Sequence, residues 1–90
     1  MNIHNKSTYN RIYNRFSAEF VDAYCKFRLD GLSGKESIDA AKIKLQALAT
    51  GEMIKDSPNK ILIVKVYKNL RRDTKIIEKA IKQYQGMKSQ

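Results

Sequence analysis

Cysteine and histidine each occur once in this chain, at Cys25 and His4. A lone cysteine closes no disulfide within the chain, which fits a reducing cytosol. One cysteine and one histidine also fall short of the roughly four N or S ligands of a zinc site, so no metal is expected. As a Cys–His nucleophile pair they would place the base in an N-terminal tail; Cys25 reads more simply as a small helix-face residue. The four glycines, Gly31, Gly34, Gly51 and Gly86, are scattered, so no phosphate-cradling glycine loop exists. The longest purely aliphatic run is Ile61–Val64, far too short to cross a bilayer. Met1–Asn10 lacks the apolar stretch of a signal peptide, and a cytoplasmic location is expected.

Acidic residues are scarce where bases are dense. The 90 residues carry 18 Lys or Arg against 9 Asp or Glu, a net charge of +9 and a pI near 9.8. Residues 60–90 hold nine bases against Asp73 and Glu78, a net +7. Residues 1–18 hold Lys6, Arg11 and Arg15 with no acid, and residues 19–59 nearly balance at −1. Polyanionic partners follow in order: nucleic acid, an anionic membrane surface, an acidic protein.

What is present is helical periodicity. Ser7 can cap a helix over roughly 8–30 that ends at Gly31, with Tyr9, Tyr13, Phe16, Phe20, Ala23, Tyr24 and Phe27 as its apolar stripe. Six of the eight aromatics lie on that stripe. Ser33 with Glu36 forms a capping-box pattern opening a second helix at 34–50, apolar at Ile38, Ala41, Leu45 and Leu48, with Gly51 as its stop. Ser57-Pro58 opens a third. The β-branched run 61–67 could be a strand, but no second segment offers it a partner, so helix is the reading. Asp73-Thr74 can divide the last segment into helices 58–71 and 74–86. One all-α domain results, a small bundle of three or four helices over 1–90, with 1–6 and 86–90 frayed.

Within the last segment Lys65, Lys68, Arg72, Lys75, Lys79 and Lys82 recur at 3, 4, 3, 4 and 3. Those spacings place one cationic ridge along a helix, about 25 Å long if unbroken. Ile63, Tyr67, Leu70, Thr74, Ile77, Ile81 and Tyr84 form the opposite, apolar seam. Solvated helix faces usually mix signs, and no acid falls on the ridge positions. Arg71-Arg72 with Lys68 is the densest cluster, and arginine forks grip phosphate from two sides. Arg11 and Arg15 are further candidates, beside Tyr9 and Tyr13, which would stack bases if they faced solvent. The carboxylate pairs Glu19/Asp22 and Glu36/Asp39 are expected to serve solubility and the helix dipole, not catalysis.

Phe20-Val-Asp-Ala-Tyr24, Gly31 and Ala40-Ala41 resemble the opening helix-turn-helix of phage small terminase subunits over residues 20–41. No recognition helix follows, and nothing is carried over from that family. The expected function is a non-enzymatic, cofactor-free nucleic-acid-binding protein acting through phosphate contacts, with RNA ahead of DNA. A mostly lysine ridge does not read base edges, and nothing points to a symmetric groove-reading dimer. The alternative is a small interaction or inhibitor protein, of the phage counter-defence or toxin-neutralising type, binding an acidic or nucleic-acid-processing protein. Membrane binding is not expected; the chain should be a monomer or small homo-oligomer.

Overall fold

The structure, a computed structural model, describes residues 3–89, with side chains from residue 6 onward. Four α-helices follow in order: α1 (Ile3–Leu29), α2 (Gly34–Lys55), α3 (Lys60–Arg71) and α4 (Thr74–Lys88). A short 3-10 turn, Ser57–Asn59, joins α2 to α3. No strand occurs among the described residues, and the β-branched run 61–67 lies within α3. Burying Ile63, Val66 and Leu70, three and four residues apart, on one side outweighs the small helix penalty of β-branching.

Helix α1 is the axis of the bundle. At ~1.5 Å per residue its 27 residues span about 40 Å, nearly the 43 Å long dimension of the molecule. It packs on α2, α3 and α4, whereas α4 rests chiefly on α1. A helix covered from three sides is buried over more than one stripe. Ile12, Val21 and Cys25 therefore join Phe16, Phe20, Ala23 and Tyr24 in the core, while Tyr9, Tyr13 and Phe27 are half-buried at its margin. Ser7 is not the cap expected of it: α1 begins at Ile3, because nothing in 3–7 breaks a helix. The expected fraying of residues 1–6 is thus not seen from Ile3 on; Met1 and Asn2 lie outside the described residues, as does the side chain of His4. At the other end Gly31 takes φ +103°, where an L side chain would be strained. The N–H of Leu32 then reaches the Phe27 carbonyl (3.1 Å) and that of Gly31 the Arg28 carbonyl (3.0 Å), a Schellman closure.

The capping box of α2 forms: Ser33 Oγ accepts from the Glu36 N–H (3.2 Å) and the Ser33 N–H donates to Glu36 Oε1 (3.1 Å). Hydrogen bonding to the carboxyl from the Ser33 N–H first, and from the Ser33 side chain second, holds the exposed Glu36 below its usual range. Gly51 does not stop α2, which runs one turn further to Lys55. A mid-helix glycine costs only about 1 kcal/mol, and the stop comes instead at Asp56 (φ −126°, ψ 61°), just ahead of Pro58, which has no N–H to continue the helical ladder. The added turn carries Met53 against the core and Glu52 within reach of α1.

The apolar seam slips at the α3–α4 junction. Thr74 is exposed, and the positions buried most deeply are Val66 and Ala80, with Ile76 packed beside them. Asp73 breaks the segment by capping α4, its Oδ1 accepting from the Lys75 N–H (2.9 Å) while Oδ2 accepts from the Tyr13 hydroxyl of α1. Helix α4 does not fray at 86 but continues to Lys88, where the Ser89 N–H (3.1 Å) and Oγ (2.9 Å) both bond the Gln85 carbonyl. No helix among the described residues is long and apolar enough to cross a membrane.

Candidate nucleic-acid interface

All six ridge residues, Lys65, Lys68, Arg72, Lys75, Lys79 and Lys82, are exposed, opposite the faces that α3 and α4 bury. The ridge is not continuous. The cap at Asp73 splits it into Lys65 and Lys68 on α3 with Arg72 at its C-cap, and Lys75, Lys79 and Lys82 on α4, each about 10 Å long at ~1.5 Å per residue. None of these cations is ion-paired among the described residues, where Arg15–Glu52 (3.0 Å) is the one salt bridge. A basic surface without internal partners keeps its field available to an external anion.

Folding adds a cation that the ridge pattern omits. Helices α2 and α3 double back at the Ser57–Asn59 turn, and Lys42 of α2 meets Lys68 and Arg71 of α3 and its C-cap Arg72 around a shallow cavity of about 300 Å³. No acid lines it. Lys42 sits in the charge-balanced middle of the chain, so local composition hides it. Its signal was distance from the turn, since positions 42 and 72 are equally far from residue 57. Arg71 also lies over the Tyr67 ring, 5.6 Å from the centroid.

A second hollow, of about 280 Å³, adjoins the first and shares Lys42 and Arg71 with it. Asp39, Ile43, Gln46 and Tyr67 complete its wall. The groove between α2 and α3 thus has a purely cationic end and a mixed aromatic, aliphatic and polar end.

The candidates on α1 are placed differently. Arg15 is engaged by Glu52, and Arg11 shares with it a small pocket that also contains Glu52 and Asp56. Both arginines face carboxylates of α2 and its C-terminal turn and stand apart from the groove. Tyr9 and Tyr13 stack on each other (centroids 6.0 Å, 21°), but their hydroxyls are spoken for. Asn69 Nδ2 donates to the Tyr9 hydroxyl (2.7 Å), and the Tyr13 hydroxyl donates to Asp73. These rings fasten α1 to α3 and to the α4 cap. Burial first, then the hydrogen bond to Asp73, pushes the Tyr13 phenol well above its ordinary range; the same bond holds Asp73 below the usual carboxylate range. Arg28 stacks on Tyr84 (4.7 Å) and donates to the Leu32 carbonyl (3.0 Å), so it too is structural.

Cys25 is buried, with its thiol 3.8 Å from the Ala80 carbonyl and its pKa raised by burial. Among the described residues no three His, Cys, Asp or Glu side chains gather where a metal could bind. The site so defined belongs to a small all-α bundle. Comparison with protein-family models, curated proteins and solved structures gives no match.

Proposed function

We propose that this protein is a non-enzymatic nucleic-acid-binding protein that holds RNA, or less favourably DNA, largely through phosphate contacts. Lys42, Lys68, Arg71 and Arg72 form its centre, with Lys65, Lys75, Lys79 and Lys82 extending the contact on either side. The observation that carries this reading is the four-cation cavity assembled from two helices with no acid on its wall. Arginine forks at such a place grip phosphate oxygens in pairs, and the lysines add point charges. Phosphate contacts carry no base information, so affinity rather than sequence preference is the expected property.

The test is a salt series with a labelled RNA and a labelled duplex DNA. Four phosphate contacts predict a log–log slope of about −3 on a single strand and somewhat steeper on a duplex. A slope near zero for both would remove phosphate binding as the function. Protein purified at low salt should also carry nucleic acid, visible as a raised 260/280 nm ratio that falls after a high-salt wash.

A second reading, an interaction or inhibitor protein with an acidic or nucleic-acid-processing partner, has its own support. Ile54 and Ile61, on either side of the α2–α3 turn, are 79% and 75% exposed. Bare isoleucines suit a protein interface. Under this reading the basic face steers association, and naked nucleic acid binds poorly.

A further inference from the structure

The α2–α3 groove has more structure than phosphate binding needs. A surface that only neutralises a duplex backbone has no use for an aromatic ring, an aliphatic wall and an amide beside its cations. Here Tyr67 and Ile43 supply apolar surface, with Ile43 left 69% exposed, and Gln46 and Asp39 supply donors and acceptors at the edge. Apolar faces with polar edges match a nucleobase, which stacks by its face and hydrogen-bonds by its rim. The carboxylate is informative about orientation. Asp39 repels a phosphate and accepts from a base N–H, so it assigns the phosphate to the cationic end and the base to its own end. Lys42 and Arg71 line both compartments and mark the boundary between them.

We infer that the groove takes one unstacked nucleotide of a single strand, its phosphate among Lys42, Lys68, Arg71 and Arg72 and its base against Ile43 and the stacked Tyr67 and Arg71 side chains. This rests on the nucleic-acid reading above and narrows its substrate to unpaired strands. A duplex reaches the cationic end with its backbone but keeps its bases stacked inside the helix, so it leaves the second compartment unused. Each hollow is near the small end of the ~300–1,000 Å³ range of ligand pockets, which suits one nucleotide unit held as part of a longer strand.

The test uses a labelled 12-nucleotide RNA, alone and annealed to its complement, titrated by fluorescence anisotropy across a salt series. Wild type should bind the single strand more tightly than the duplex at equal salt. Tyr67→Leu keeps apolar bulk but removes the ring on which Arg71 lies; it should weaken single-strand binding about fivefold or more and duplex binding clearly less. Gln46→Ala, at an exposed position, should weaken the single strand in the same selective way, and it decides the matter if Tyr67→Leu lowers the melting temperature. Arg71→Gln should weaken both ligands and flatten both slopes. Duplex bound as tightly as single strand, or a Gln46→Ala variant indistinguishable from wild type on both, overturns the nucleotide site while steep slopes leave phosphate binding standing. Flat slopes for both ligands overturn the phosphate reading itself.

Discussion

Replacing Asp73 with alanine tests the joint on which the shape of the basic face depends. Two interactions are lost together. The first is the cap on α4, Oδ1 accepting from the Lys75 N–H at 2.9 Å, worth about 1 kcal/mol. The second is the hydrogen bond from Tyr13, which anchors the joint to α1. A bond to a charged acceptor is worth about 1.5–3 kcal/mol, and since Tyr13 is half-buried and can find water, the lower figure applies. Asp73→Ala should therefore cost roughly 2–3 kcal/mol, out of about 5–14 kcal/mol for a domain this size. At about 4–8 °C per kcal/mol, thermal unfolding followed by circular dichroism should shift down by roughly 10–20 °C. Tyr13→Phe should cost about 1–2 kcal/mol alone, and the double variant about 1 kcal/mol less than the sum of the singles. The pH dependence has a definite sign. Asp73 is depressed in the folded protein, so its stabilisation is complete above an unfolded carboxyl value of about 4 and fades as pH falls through the lower folded value. Tyr13 is raised, so its contribution is complete below about pH 10 and is lost as pH rises beyond that. A melting temperature within about 2 °C of wild type, or a double variant with strictly additive losses, would refute the joint.

Three further outcomes follow. Phe20→Ala empties a side chain buried between α1 and its neighbours, 4% exposed, and should destabilise by about 3–5 kcal/mol in denaturant titration. Gly51→Ala should raise stability by roughly 1 kcal/mol in the same assay, because the position is mid-helix and a Cβ there meets nothing within 4 Å; a loss instead would show that α2 is not continuous through it. Reversing charge at Lys68, Arg72 and Lys75 touches no buried residue, so the melting temperature should hold while RNA and duplex binding both fall steeply. Retained binding would shift the interface to another face, with Arg11 and Arg15 the next to vary.

Much of this protein follows from local chemistry alone. Ser33-Glu36 and Gly31 mark the α1–α2 boundary because capping and a positive φ are properties of those residues and their immediate neighbours. The break at Asp73-Thr74 is legible for the same reason, and so is the exposure of six cations set opposite an apolar seam. Where several signals compete, the chain alone does not rank them: Gly51 looks like a stop but is overruled by Ser57-Pro58, and Ser7 looks like a start in a stretch with nothing to end the helix before it. The core of α1 is wider than its aromatic stripe because three helices cover it, a fact about neighbours that periodicity along one helix does not contain. The same holds for the site. Lysines and arginines of α3 are visible as a ridge, but Lys42 joins them only when α2 folds back on α3. Arg15 is seen to be paired only when the last turn of α2 brings Glu52 beside it. Spacing in sequence determines which side chains share a face, and tertiary packing decides which faces meet, because the contacts that select among the possible packings are made between residues far apart in the chain.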